Sequence, residues 1–224
     1  MTEEQASTRN TEIIRSFLRL TEYAAQNHVQ AVIIAGDLFD GERIKLRTVD
    51  EILDAIRRTS KVDYLYLAGN HDGATYDHNI PDNLKIFGKE WTTYEYDNVT
   101  ISGVEICEAN ANSLYSQIPH KDGTVNIVTL HGQAGTVSGV DQVNIPQLKN
   151  KGIDYLALGH IHSYMEQPLD DKGIYCYAGC LEGRGFDECG AKGFVLLTVD
   201  SGRIQHEFVP FSCRQLHRIS VNIT

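Results

Sequence analysis

Four short runs of apolar residues, each followed at once by polar residues and glycine, constrain the fold of this 224-residue chain most strongly. They lie in residues 30–40, 62–72, 125–132 and 153–162. A continuous apolar run with a polar end is typical of a strand that is buried on both faces and delivers side chains at its carboxyl end. The sequence therefore predicts a sheet with a polar cluster along one edge.

Amphipathic helices are predicted between the early strands. Apolar residues recur at helical spacing in residues 11–27 and again in residues 48–58. Helices that alternate with strands indicate parallel strands joined by crossover connections. After residue 173 the pattern changes to strands separated by turns, with a hairpin turn predicted at residues 200–202. We expect an α/β fold in which two sheets form a sandwich flanked by helices.

Composition and charge narrow the class of protein without specifying its activity. The chain is 42% apolar, and no apolar run approaches the length of a membrane span. Five scattered cysteines without a CxxC pair favour reduced thiols in a cytoplasm. The net charge of −10 argues against DNA binding through overall charge, although acidic metal ligands contribute to it. We expect one domain over residues 1–211, and a tail or the start of a connection to a further domain over residues 212–224.

The polar residues at the four strand ends are of metal-ligand types. In chain order they are Asp37, Asn70, His71, Asp72, His131, His160 and His162. Open α/β folds bind ligands at the carboxyl edge of the sheet, so these side chains are expected to converge there. A mixed set of oxygen and imidazole donors suits Mn, Fe or Zn better than Ca or Mg.

Each candidate also has an ordinary structural explanation. A single histidine at a strand end is more often a hydrogen-bonded structural residue than a ligand, and Asn70 or Asp72 could simply form a turn. Arg184 could be a surface salt-bridge partner, and Glu188 is expected to hold its loop through hydrogen bonds. Four such strand ends in one chain favour the metal site over these separate explanations.

The strand-end motifs GD, GNHD, HG and GHIH, in this order, resemble the signature of the calcineurin-like metallophosphoesterases. Three further segments, GDLFD, IPDNLKIFG and YAGCLEGRGFDECGAKGF, resemble the SbcD-type DNA repair exonucleases and especially their YhaO-like relatives. The similarity extends from about residue 11 to residue 211. It implies a sandwich of two mixed sheets flanked by helices, and metal-dependent hydrolysis of phosphodiesters in DNA by an exo- or endonuclease.

The resemblance implies a metal-binding role for most of the strand-end residues. Asp37 would bridge two metal ions, and His162 would belong to the site of the second ion. The residues that complete the first site would be Asn70, His131 and His160. The expected cofactor is Mn²⁺, two ions in the intact family site, with Fe, Zn or Mg as alternatives.

The resemblance also implies how substrate and partners would be bound. His71 would contact the scissile phosphate and assist the leaving group, and Asp72 is placed to orient its ring. Arg184 is expected at the rim of the site, near the DNA backbone. The implied partners are DNA and an SMC-like ATPase subunit; a homodimer is compatible with the family, and no membrane is expected.

The chain departs from the family pattern in one respect. An Asp-x-His motif on a strand before the first helix is missing, and residues 1–9 are polar. Only Asp37 and His162 remain for the second ion, too few for tight binding. We therefore expect one bound Mn²⁺ and impaired activity. A truncated chain or a misassigned start codon explains the intact remaining ligands better than natural loss of the site does.

Two other functions fit the same residues. The motifs specify hydrolysis of a phosphate ester and not the substrate, so a phosphodiesterase or phosphatase that acts on small or protein substrates is one alternative. The other is a non-catalytic module that docks DNA or the ATPase after loss of its first motif. The rate on duplex DNA compared with that on a small phosphodiester separates the two enzymatic functions.

Overall fold

The computed structural model describes residues 3–38, 45–69 and 80–221. Helices α1, α2 and α3 comprise Glu3–Gln26, Leu46–Arg58 and Ile145–Leu148, and a 3₁₀ turn covers Leu114–Ser116. In chain order the strands are β1 (Ala31–Ala35), β2 (Asp63–Leu67), β3 (Leu84–Phe87), β4 (Thr92–Tyr96), β5 (Val99–Gly103), β6 (Val125–His131), β7 (Gln133–Gly135), β8 (Gln142–Asn144), β9 (Tyr155–Gly159), β10 (Met165–Pro168), β11 (Ile174–Tyr177), β12 (Gly193–Asp200) and β13 (Arg203–Pro210). The fold is mixed α/β, as predicted.

Strands β1, β2 and β3 form a parallel sheet in that order. Tyr64 and Tyr66 of β2 pack in the cluster that includes residues of α1 and α2, whereas Leu65 and Leu67 pack toward the second sheet. All four side chains are at most 1% exposed. Successive side chains of a strand alternate between its faces, so a strand covered on both sides needs apolar residues at every position. Burial of each leucine contributes about 1.5–3 kcal/mol.

The second sheet has six strands in the order β10-β11-β9-β6-β5-β4. Its four inner strands run parallel, and β10 and β4 are added antiparallel at the two edges. On one face Ile127 and Tyr155 share a core with Leu65 of the first sheet. The opposite face packs against α3 and the 3₁₀ turn. The two sheets therefore form the expected sandwich, with α1 and α2 on the outer face of the first. Both sheets were expected to be mixed, but among the described residues only the second is, since every pair in the first is parallel.

The predicted helices and hairpin turn are confirmed. Both helices are present, and the first begins earlier than the pattern indicated, at Glu3. The turn joins β12 to β13, with a φ of 50° at Ser201 and 75° at Gly202, the signs that a type I′ turn requires. Within the described part of the chain, no helix has the length and apolar character needed to cross a membrane.

A buried carboxylate joins α1 to the carboxyl-terminal part of the chain. Glu182 is 3% exposed and accepts hydrogen bonds from Ser16 Oγ at 2.8 Å and from the Cys213 amide at 2.6 Å. Arg9 Nη2 lies 3.4 Å from the other carboxylate oxygen, and Arg9 is also paired with Glu12. A buried charge is tolerated only when it is paired and hydrogen-bonded. The group therefore holds Cys213, in the predicted tail, against the first helix.

Replacing Glu182 with alanine is expected to destabilise the fold by roughly 2–4 kcal/mol, because the Cys213 amide and the Arg9 guanidinium lose a buried acceptor. The measurement is the free energy of unfolding from urea denaturation. Glu207→Ala is the matched control: this glutamate is exposed on β13 and should change stability by no more than about 0.5 kcal/mol. Equal losses in the two variants would contradict a structural role for Glu182.

Candidate metal centre

Three strands from the two sheets end at the same place. β1 ends at Ala35, β6 at His131 and β9 at Gly159, and His131 pairs with Gly159 in the second sheet. The carbonyl oxygen of Ala35 lies 2.8 Å from His131 Nδ1 and so links the two sheets. A carbonyl oxygen only accepts, so Nδ1 is the donor and carries the proton in the neutral ring. The acceptor nitrogen of this imidazole is therefore Nε2.

Asp37 follows β1 by two residues and faces that nitrogen. Its Oδ2 lies 3.5 Å from His131 Nε2, farther than the roughly 2.9 Å of an N–H···O hydrogen bond. Two donors that each lie about 2.1 Å from one cation are about 3.0–3.5 Å from each other. The separation thus fits a shared divalent cation, and carboxylate with imidazole is a donor set that such cations accept.

His160 lies beside this pair. Its ring meets the ring of His131 edge-on, with centroids 5.5 Å apart and planes at 90°. Burial lowers the pKa of His160, and the neighbouring His131 lowers it further, against the opposing influence of Asp141 and Asp37. The neutral imidazole is the form that ligates metals, so this environment favours ligation at neutral pH.

The backbone is strained at two of the candidate ligands. Asp37 has a φ of 53° and His160 a φ of 98°, a region that residues with a side chain rarely adopt. Such conformations cost about 1–3 kcal/mol each and persist where the surrounding structure requires them, often at functional sites. Asp37 directly follows Gly36, and His160 directly follows Gly159, each at the end of a strand. The chain turns at these positions, and both side chains lie at the shared edge.

Two glycines let the strand ends approach this closely. A Cβ at Gly159 would lie 1.6 Å from Ala35 O, and a Cβ at Gly69 would lie 2.4 Å from Asp37 Oδ1. Because Gly159 has no side chain, the end of β9 can approach the end of β1. Because Gly69 has none, the chain can approach Asp37 at the position just before Asn70. A side chain at either position would force the strand ends apart.

The structure brings some of the predicted residues together and leaves others outside its description. Asp37, His131 and His160 are neighbours at the shared edge. Asn70, His71 and Asp72 lie outside the described residues, although Gly69 touches Asp37. Among residues 3–38, 45–69 and 80–221, no three His, Cys, Asp or Glu side chains already form a ready ligand cluster. Asp37 and His131 are thus a two-donor pair that needs further ligands.

His162 is held by a residue from the tract that follows β11. Its Nδ1 lies 2.5 Å from Glu188 Oε1, and the other oxygen of that carboxylate accepts from the Arg184 amide at 2.6 Å. Burial raises the pKa of Glu188, but the bonds from the Arg184 amide and from His162 outweigh it and lower the pKa overall. Glu188 does hold its loop, as predicted. Its contact with His162 had no signal in the sequence, because the two residues are 26 positions apart.

Arg184 contacts the same Glu188 carboxylate that contacts His162. Its Nε is 3.9 Å from Glu188 Oε1, and its side chain is 38% exposed. The predicted salt-bridge partner is therefore Glu188, at the long end of the range for an ion pair. Its expected place at the rim of the site, near a DNA backbone, stays a prediction.

Substitution of Gly159 by alanine should destabilise the protein by at least about 2 kcal/mol, because the new methyl group would overlap a strand carbonyl that cannot swing aside. Urea denaturation measures the loss. Gly88→Ala is the matched control, since a Cβ there meets no atom within 4 Å, and its stability should be unchanged or higher by up to about 1 kcal/mol. A Gly159→Ala protein as stable as Gly88→Ala would show that the two sheets do not meet this closely.

Several curated proteins are similar to most of this chain. It is 26% identical over 209 residues to the "Uncharacterized metallophosphoesterase YhaO" of Bacillus subtilis, covering 86% of this chain and 51% of that protein. It is 27% identical over 190 residues to the "DNA double-strand break repair protein Mre11" of Sulfolobus acidocaldarius, covering 77% and 49%. A protein of the same name from Methanopyrus kandleri is 24% identical over 236 residues, covering 90% and 52%. The chain spans about half the length of these relatives.

The family described as "Calcineurin-like phosphoesterase" matches residues 11–164. This range contains most of α1, the first sheet, and the ends of β1, β6 and β9 with Asp37, His131 and His160. Members of the family bind divalent metal ions and hydrolyse phosphoesters, which agrees with the donor types gathered at those strand ends. The resemblance inferred from the strand-end motifs is confirmed. This chain belongs to the calcineurin-like phosphoesterase family.

Proposed function

We propose that this protein is a metal-dependent nuclease that hydrolyses phosphodiester bonds in DNA, as an exo- or endonuclease of DNA repair. The observation that carries the proposal is the approach of Asp37 Oδ2 to His131 Nε2 at 3.5 Å, with His160 edge-on beside them. A carboxylate and two imidazoles at one sheet edge are suited to a divalent cation.

The first cation would be held by Asp37, Asn70, His131 and His160, and Mn²⁺ is the expected ion. When bound, such a cation polarises a phosphoryl oxygen and activates water. The protein's own residues prepare the site before any ion arrives. His131 is oriented through its bond to Ala35 O, which leaves Nε2 facing Asp37. Asp37 supplies the negative charge that offsets part of the charge of the cation.

A second cation would have Asp37 and His162 as its ligands in these 224 residues, so we propose that it binds weakly and that activity is impaired. His71 would contact the scissile phosphate and protonate the leaving oxygen, with Asp72 orienting its ring. Arg184 would neutralise a backbone phosphate beside the site, since its exposed guanidinium lies near His162 through Glu188.

DNA as the substrate is supported by the names of the similar proteins. Two of the relatives described above, at 27% and 24% identity, carry the name "DNA double-strand break repair protein Mre11". The overall charge of −10 does not favour a polyanion. The proposal therefore requires the bound cation and Arg184 to supply positive charge where the phosphate sits. An SMC-like ATPase subunit as partner, and a homodimer, belong to the proposal on the same resemblance.

The state of the cysteines supports a cytoplasmic location for this activity. All five cysteines, Cys107, Cys176, Cys180, Cys189 and Cys213, are free thiols. Burial, with the Glu188 carboxylate nearby, raises the pKa of Cys180 to about 11, so this residue remains a thiol at neutral pH. Reduced thiols are the rule in a reducing compartment.

The metal site is tested by counting bound ions. Mn²⁺ titration followed by electron paramagnetic resonance of the unbound ion should give one tight equivalent per chain. His131→Ala should weaken it by at least about 100-fold, because even the loss of an outer partner of a ligand costs about 10–100-fold. His120→Ala is the control, an exposed histidine paired with Asp122, and should bind as the unaltered protein does. Two tight ions, or binding that survives His131→Ala, would contradict the proposed site.

The substrate is tested by comparing duplex DNA with bis-p-nitrophenyl phosphate under single-turnover conditions with Mn²⁺. Turnover of DNA should be slow but at least about tenfold faster than in His131→Ala, because the cation carries most of the catalysis. His120→Ala should retain the rate. Hydrolysis of the small ester with the same dependence on His131, and none of DNA, would identify a phosphodiesterase for small substrates. Binding of DNA without hydrolysis of either substrate would favour a non-catalytic module.

A further inference from the structure

The side chain of His162 is bound by a carboxylate whose two oxygens are both engaged. One oxygen of Glu188 faces His162 Nδ1 at 2.5 Å, and the other accepts the Arg184 amide at 2.6 Å. The Glu188 side chain is 11% exposed, so water competes little for either oxygen. A carboxylate ionised above its usual pKa of about 4.3 is only an acceptor, which makes Nδ1 the donor nitrogen of the ring.

The main chain of His162 is held by the same tract of sequence. Its carbonyl oxygen accepts from Lys192 Nζ at 2.5 Å and from the Cys180 amide at 3.3 Å. Lys192 is only 2% exposed. Burial of an ammonium group is unfavourable unless its charge is satisfied. Packing alone therefore does not explain why a buried lysine contacts this carbonyl. The tract from Cys180 to Lys192 thus fixes both the backbone and the ring of His162.

We propose that Glu188 and Lys192 are positioning residues that hold His162 as a cation ligand through Nε2, with its proton kept on Nδ1. This inference rests on the proposed function, because it assumes that a cation binds at the strand ends. A histidine whose other nitrogen donates to a carboxylate keeps one tautomer and one ring orientation, and becomes a better electron donor to a metal. The contact therefore prepares the second cation's ligand before the ion arrives.

The same carboxylate sets the position of Arg184 relative to His162. Because Glu188 bonds to the Arg184 amide with one oxygen and to His162 with the other, the two residues are spaced by the width of one carboxylate group. The Arg184 guanidinium, whose Nε lies 3.9 Å from the Glu188 oxygen that faces His162, would then bring a phosphate to the same side of Glu188 as the cation on His162. Glu188 thus couples a substrate contact to a metal ligand without touching either substrate or metal.

The substitution Glu188→Gln discriminates this role from a merely structural one. Glutamine has a single acceptor oxygen, so it cannot accept from both His162 Nδ1 and the Arg184 amide in the present arrangement. If its oxygen stays on the Arg184 amide, its NH₂ group donates to Nδ1 and drives the ring proton to Nε2, where it blocks ligation. If the oxygen turns to His162, the Arg184 amide loses its bond. Either arrangement weakens one half of the coupling.

The tautomer is measured by long-range ¹H–¹⁵N spectra of the metal-free protein labelled at histidine. In the unaltered protein His162 is expected as the Nδ1–H form, and in Glu188→Gln as the Nε2–H form or a mixture. Glu166→Gln is the matched control, because Glu166 accepts from His206 Nε2 at 2.9 Å outside the site. It should alter the signals of His206 and leave those of His162 unchanged. An Nε2–H form of His162 in the unaltered protein would overturn the proposal without any variant having to fold.

Metal binding supplies the second readout. The weak second Mn²⁺, followed by electron paramagnetic resonance at millimolar ion, should bind about tenfold or more weakly in Glu188→Gln, while the tight ion keeps its affinity. Lys192→Met should weaken the same ion, because the His162 carbonyl loses its ammonium partner. An unchanged second affinity in Glu188→Gln would overturn the proposal. Absence of the tight ion from the unaltered protein would instead refute the proposed function, and the tautomer result would still stand.

Discussion

The carbonyl oxygen of Ala35 is the contact on which the candidate centre depends, because it brings the ends of three strands to one point. It accepts a hydrogen bond from His131 Nδ1, and a Cβ on Gly159 would lie only 1.6 Å from it. That single acceptor sets the tautomer of His131 and the distance between the two sheets at their carboxyl edge. The 3.5 Å approach of His131 to Asp37 follows from both. Each is a consequence of where the first sheet ends.

The rest of the molecule stabilises this strained edge. Positive φ angles at Asp37 and His160 are unfavourable by about 1–3 kcal/mol each. The offsetting free energy comes from burial between the sheets and under the helices, where β2 places side chains that are at most 1% exposed on both faces. The buried Glu182 then holds α1 and the segment around Cys213 in place. Stability and site geometry are thus supplied by different parts of the fold.

Much of the architecture was predictable because its signals are local. The apolar runs of β1, β2, β6 and β9, the two long helices and the turn at Ser201-Gly202 each depend on residues close together in the chain. Most of the strands that the patterns did not reveal are short or lie at an edge; the exception is β5, an inner strand of the second sheet with five residues. β4 alternates half-buried and exposed residues, and β7 and β8 have three residues each. Segments this short carry too few residues for a period to be recognised, and their pairing comes from the strands beside them.

The sequence by itself determined which residue types stand at the strand ends and in what order. A buried strand and its polar end consist of consecutive residues, so a local pattern is enough to recognise them. Tertiary structure alone decided which of them meet. His131 and Ala35 are 96 positions apart, and Glu188 reaches His162 across 26. Such contacts depend on how one sheet lies on another and on the path of a loop, and no local pattern encodes either. The role of Glu188 as the partner of His162 therefore became visible only in the folded chain.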